Sequence, residues 1–103
     1  MVLVTGDFVA KDDRLAEAIA LSIEHVRRSR MENGCISHTA HRDVENPLRI
    51  VFVERWSDRA ALATHFAVPA SRAFVKAVTE LSAVPPNMAI YEATQVSISG
   101  NAN

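Results

Sequence analysis

The chain has few of the residues that staple, anchor or strongly charge a small protein. Among its 103 residues there is one cysteine, Cys35, so no internal disulfide can form. That usage fits a reducing compartment. Charge is balanced, with 11 Lys and Arg against 12 Asp and Glu and a net charge of −1. The basic footprint of a nucleic-acid-binding protein is therefore missing. No apolar run reaches the ~20 residues that a membrane span needs. The N-terminus, MVLVTGDFVAKDD, has no basic n-region and meets Asp7 early. A signal peptide is not expected, and a cytoplasmic protein with no membrane partner is. There is no Gly-rich phosphate loop, no serine in a nucleophile elbow and no internal repeat.

What the chain does have is apolar surface, with 49% hydrophobic residues. A chain of this length can bury enough of it to fold as one domain without staples. The stretch Gly34–Trp56 reads as a β-hairpin: Cys35–Arg42, a turn at Asp43–Pro47, then Leu48–Trp56. Ile50-Val51-Phe52-Val53 is apolar on both parities, so both faces of that strand need cover. Helices can cover one face. The simplest cover for the other is a second copy of the chain.

Val2–Ala10 reads as a strand, with Gly6 marking either a twist point or a close approach to the backbone. A helix follows, capped by Asp12 or Asp13, with Leu15, Ile19, Ile23 and Val26 as its apolar stripe. Glu24 and Arg28 can pair on its outer side, and Asn33-Gly34 stops it. His25 falls on the solvated side. After the hairpin, Ser57-Asp58 offers the cap of a short helix over Asp58–Phe66, with Ala61, Leu62, His65 and Phe66 inward. Pro69 opens a third helix over Ala70–Ala83, with Phe74, Val75, Val78 and Leu81 as its apolar side. Val84-Pro85-Pro86 is a rigid connector to a last strand, Asn87–Ile98. The order predicts an α+β fold: a ferredoxin-like βαββαβ domain over residues 1–98, its sheet antiparallel with helices on one face. Residues 99–103 are expected to be a mobile tail. Docking the uncovered sheet face on a second copy makes a homodimer.

Three segments carry a family resemblance: ENGCISHTAHRDVENPLRIVFVERW, SDRAALATHFAVPASRAF and VPPNMAIYEA. Together they resemble the antibiotic biosynthesis monooxygenase domain family, which includes quinol monooxygenases. The most specific parts are Gly34-Cys35, His41-Arg42-Asp43, Glu54-Arg55-Trp56 and the Ala-x-His-Phe-x-x-Pro run around His65 and Pro69. The resemblance implies a dimeric α+β barrel and, among several chemistries, oxidation of phenols or hydroquinones by O₂ with no metal or flavin. Gly6 and Ala70 stand where haem-degrading members use asparagine and histidine. Thr39 stands where isomerase members use aspartate.

The residues themselves suggest a pocket between helices and sheet. His65 points inward from the short helix. His38 lies between Ile36 and Ala40 on an otherwise apolar parity, so it can face the same space. Either histidine is a candidate proton acceptor, or His65 is a core residue bonded to a carbonyl. Trp56, Phe66 and Phe74 are the candidate walls for a small aromatic or quinol-like substrate. The four histidines are spread over the first helix, the hairpin and the short helix without ligand spacing, so no metal and no cofactor are expected. Cys35 reads as a small core residue, and Glu54 as a partner for Arg42, Arg49 or Arg55. Two functions stay open: a cofactor-independent monooxygenase, or a non-catalytic dimeric binding or interaction protein on the same fold.

Overall fold

The hairpin forms where its turn chemistry puts it. In a computed structural model that describes residues 1–98, β2 (Cys35–Arg42) and β3 (Arg49–Trp56) pair antiparallel. Asp43 Oδ1 accepts the Glu45 amide at 2.8 Å and Asn46 Oδ1 accepts the Leu48 amide at 3.2 Å, so both turn side chains stand in for backbone partners. β1 (Val2–Ala10) lies antiparallel between β3 and β4 (Ser82–Glu92), giving the sheet order β2-β3-β1-β4. Helices α1 (Leu15–Ser29), α2 (Arg59–Ala67) and α3 (Pro69–Leu81) complete the ferredoxin-like arrangement. The tail expected at 99–103 lies outside the described residues.

Strand parity decides which side chains meet the helices. Val2, Val4, Phe8 and Ala10 of β1 and Ile50, Phe52, Glu54 and Trp56 of β3 are all buried. Phe8, Ile50 and Phe52 share a core with Ala18 and Val26 of α1 and Val78 and Leu81 of α3. A second cluster joins Val2, Val4 and Trp56 to Leu62 of α2. Leu3, Val9, Val51 and Val53 lie on the opposite parity and are only half-buried. No helix among the described residues is long and apolar enough to cross a membrane.

Local signals place the helices well at some ends and poorly at others. Asp58 caps α2 as expected, its Oδ1 accepting the Ala61 amide at 2.8 Å, and Pro69 starts α3. Asp12 and Asp13 cap nothing. They form a 3-10 turn with Arg14 that feeds into α1. The prolines do not make a connector either, because Val84, Pro85 and Pro86 lie within β4. β4 is an edge strand, where a missing N–H costs no ladder bond, and the register shifts between its pairings with Asp7 and Val9 absorb the prolines. The strand ends at Glu92 rather than Ile98.

The buried face of α1 follows the apolar stripe only in part: Val26 is buried and Leu15 and Ile19 pack on the core. Ile23 is 41% exposed, while Ala18, Ser22, His25, Val26 and Ser29 are buried. Three small side chains, Ala18, Ser22 and Ser29, turn inward together with His25 and Val26. The Ser29 hydroxyl is satisfied by donating to the His25 carbonyl at 2.7 Å. This rotation brings His25, read as solvated, into the interior.

Candidate functional site

A cavity of about 430 Å³ lies between the helices and the sheet, opening beside β4. Its existence starts with Gly6. On β1 this residue sits on the helix-facing parity between Val4 and Phe8, and it has no side chain to fill the space. A Cβ there would meet Asn87 O at 3.4 Å, an ordinary contact, so what Gly6 leaves is room. The walls are mostly apolar: Phe8, Phe52, Phe66, Phe74, Val75 and Val78. His25, Glu54, His65 and Ser71 supply the buried polar groups on that wall.

Three histidines converge here from three elements. His25 comes from α1, His38 from β2 and His65 from α2, with ring centroids 5.2, 5.4 and 5.6 Å apart. His38 reaches the cluster through a β-bulge. The β2–β3 register slips between Cys35 and Ser37, so the alternation breaks at Ile36, which is 50% exposed while His38 is fully buried. The expectation that Ile36 shares the inward parity of His38 fails for that reason. His25 stacks flat on Phe74 at 4.0 Å, and His65 leans on Trp56 at 4.6 Å.

Each histidine has a different polar partner. His65 Nδ1 lies 2.8 Å from Glu32 Oε1. A carboxylate accepts, so Nδ1–H donates and the neutral ring keeps its lone pair on Nε2. Nε2 has no hydrogen bond among the described residues. His25 is the reverse case. Arg28 Nη2 is 3.0 Å from His25 Nδ1 and can only donate, so the His25 proton sits on Nε2. Burial first, then the neighbouring His38, His65 and Arg28, push the His25 pKa down to about 3. His38 Nε2 lies 3.3 Å from Glu54 Oε1. The geometry leaves both His38 ring nitrogens without a hydrogen bond, so this is a close approach rather than a formed bond. Glu54 Oε1 does accept the Trp56 indole N–H at 2.9 Å. Burial raises the Glu54 pKa, but the His38 contact and the indole outweigh it and hold the carboxyl below its usual range.

Convergence alone does not make a metal centre. One nitrogen from each of the three rings lies within 4.8 Å of the others. Zinc held tetrahedrally by imidazoles sets its nitrogens ~3.3 Å apart, so the trio would have to close up. Metal-bound histidines also donate their second N–H to an acceptor. His65 does so through Glu32, whereas His25 meets a guanidinium. As arranged, the trio packs as rings, with one member equipped as a base.

The sequence-derived candidates separate on this geometry. His65, Phe66 and Phe74 line the cavity. His38 and Trp56 do not. Both are completely buried behind it, so Trp56 supports His65 rather than forming a wall, and His38 acts at most through its neighbours. Glu54 faces the core and meets His38 and Trp56, not an arginine. Arg49 instead pairs with Asp7 at 2.6 Å and Asp43 at 3.0 Å. Glu32, His25 and Ser71 escaped sequence reading. The available signal for Glu32 was its place just before Gly34, whose φ of 84° turns the chain back toward α2.

Comparison with known proteins fits this geometry. The family model "Antibiotic biosynthesis monooxygenase" matches residues 1–77. The chain belongs to this family. It has close relatives in fold at modest identity. A candidate antibiotic biosynthesis monooxygenase from Deinococcus radiodurans superposes with a TM-score of 0.89 at 25% identity, covering 97% of this chain and 100% of that one. A Mycobacterium tuberculosis protein shares the fold, with a TM-score of 0.86 at 24% identity over 94% of this chain and 98% of that one. An uncharacterised protein of Synechocystis is 37% identical over 91 residues, which cover 88% of this chain and 62% of that protein. The chain thus spans under two thirds of that curated relative's length.

Proposed function

We propose that this family member is a monooxygenase that oxidises a small phenolic or hydroquinone substrate with O₂ and needs no cofactor. The observation that carries the reading is the Glu32–His65 pair on the wall of an apolar cavity of about 430 Å³. A ring of hydroquinone size suits such a cavity, held by Phe66 and Phe74. His65 Nε2 takes the phenolic proton, and Glu32 stabilises the imidazolium that results. The electron-rich phenolate then reduces O₂ directly. One oxygen atom replaces a ring hydrogen and the other leaves as water. The ring, oxidised from hydroquinone to hydroxyquinone, supplies every electron. The protein positions the ring, moves one proton and keeps water out.

We further propose a cytoplasmic homodimer, its half-buried Leu3, Val9, Val51 and Val53 docking sheet against sheet. Oxygen uptake across a panel of hydroquinones and phenols tests the chemistry. Consumption of one O₂ per hydroxyquinone formed, lost in His65→Ala, is the expected result. Uptake no faster than the uncatalysed background would leave a non-catalytic binding protein. That second reading is favoured by one observation: the histidine rings pack on each other and on aromatic faces, as an inert core does.

A further inference from the structure

Ser71 is 4% exposed, lines the cavity, and its hydroxyl has no hydrogen-bond partner. A buried hydroxyl left unpaired is unfavourable, and native proteins rarely tolerate it without a reason. Three other helical hydroxyls solve the problem by donating back one turn: Ser29 to His25 O, Thr64 to Ala60 O and Thr79 to Val75 O. Ser71 has no such turn behind it. It is the third residue of α3, and Val68 before it is extended, with ψ 123°. The nearby Val68 carbonyl already accepts the Ser71 and Arg72 amides at 3.0 and 3.2 Å.

Each of the other buried polar residues on the wall has a partner for one of its atoms. Glu54 accepts from Trp56, His25 accepts from Arg28, and His65 spends Nδ1 on Glu32. The positions left for a ligand are His65 Nε2, the His25 Nε2–H, Glu54 Oε2 and Ser71 Oγ, and of these four residues Ser71 is the one whose side chain makes no hydrogen bond among the described residues. The hydroxyl would meet a ligand by turning about χ1 into the cavity that Ser71 lines. We propose that Ser71 binds the second oxygen of a dihydroxylated ring, so that the cavity selects hydroquinones over monohydric phenols. This inference rests on the reading of the cavity as an aromatic-binding site. A site that hydrogen-bonds a substrate hydroxyl discriminates against the analogue lacking it, because its own polar group is then stranded.

Anaerobic calorimetric titration with hydroquinone and with phenol tests the proposal without needing turnover. Wild type is expected to prefer hydroquinone by roughly two- to tenfold, the range of one net hydrogen bond. Ser71→Ala should bring the two affinities together by weakening hydroquinone alone, without lowering the melting temperature, since no protein bond is lost. Ser22→Ala is the control, because Ser22 is also buried with an unpartnered hydroxyl but lies off the cavity wall. It should keep the preference. An unchanged preference in Ser71→Ala overturns the proposal, as does a wild type that binds neither ring or both equally. A preference that tracks Ser71 in a protein that consumes no oxygen supports it while removing the oxidation reading.

Discussion

Glu32 and His65 lie 33 residues apart in the chain and 2.8 Å apart in space. The turn after α1 and the last turn of α2 are joined by this contact, which fixes the tautomer of the histidine that faces the cavity. If His65 is the base, its removal should lower turnover by about 10²–10⁴-fold. Glu32→Gln keeps an acceptor for Nδ1–H and removes the charge that steadies an imidazolium. It should fall between wild type and His65→Ala, and Glu32→Ala should fall below Glu32→Gln. Steady-state oxygen uptake on one hydroquinone, with circular dichroism to verify folding, checks the order. Equal turnover in Glu32→Ala and wild type would reduce Glu32 to a structural residue.

The buried His25 should make the fold sensitive to acid. Its folded pKa is about 3, against an ordinary 6.5. Between those values the unfolded chain takes up a proton that the folded one refuses. Stability is therefore fully present above pH 6.5 and falls as the pH drops toward 3. The depressed carboxyl of Glu54 acts in the same direction at the acid end, below its ordinary 4.5. His25→Gln keeps an acceptor for Arg28 but cannot titrate. We expect it to be less stable than wild type at pH 7, having lost the stack on Phe74, yet to lose less on going to pH 4. Urea midpoints at the two pH values measure this, and equal losses in both proteins would contradict it.

Most of the fold was legible because its signals are local. The hairpin turn, the Asp58 cap and Pro69 each act within a few residues. The site was legible only in part, because each missed feature depends on a partner far along the chain. His38 was placed inward for an incomplete reason, since a bulge, invisible to a period-2 reading, breaks the parity at Ile36. His25 departs from its solvated reading because α1 is rotated so that Ile23 turns out and Ser22, His25 and Ser29 turn in. That rotation is set by the sheet and α3 it packs on, which no helical period contains. Glu54 was matched to arginines on charge alone, whereas its parity carries it to His38 and Trp56.

Gly34 should be intolerant of any side chain. Its φ is +84°, and a Cβ there would lie 2.4 Å from Ala61 Cβ and 2.8 Å from Ser57 Oγ. Ser57 can rotate, but Ala61 belongs to the α2 backbone wall and must shift with the helix. Overpacking of this kind costs roughly 1–3 kcal/mol, to which the left-handed backbone adds about 1 kcal/mol. Gly34→Ala should lower the unfolding midpoint accordingly. Adding Ala61→Gly should restore part of the loss by removing the nearest atom. No recovery in the double variant would mean that the backbone conformation, not the clash, dominates.

Phe52 and Val53 are neighbours on β3 with opposite fates, and this separates folding from assembly. Phe52 is 7% exposed and packs in the main core, while Val53 lies half-buried on the uncovered parity. A charge at position 52 would sit among Phe8, His25, His38 and Phe74 with no partner, which is strongly destabilising. Phe52→Glu should therefore fail to fold. A charge at position 53 stays wet in a monomer and is desolvated only when a second sheet covers it. Val53→Glu should give a folded monomer, with native circular dichroism, where wild type sediments as a dimer at micromolar concentration. If wild type is itself a folded monomer, or if Val53→Glu sediments as wild type does, the uncovered face is not where two copies meet.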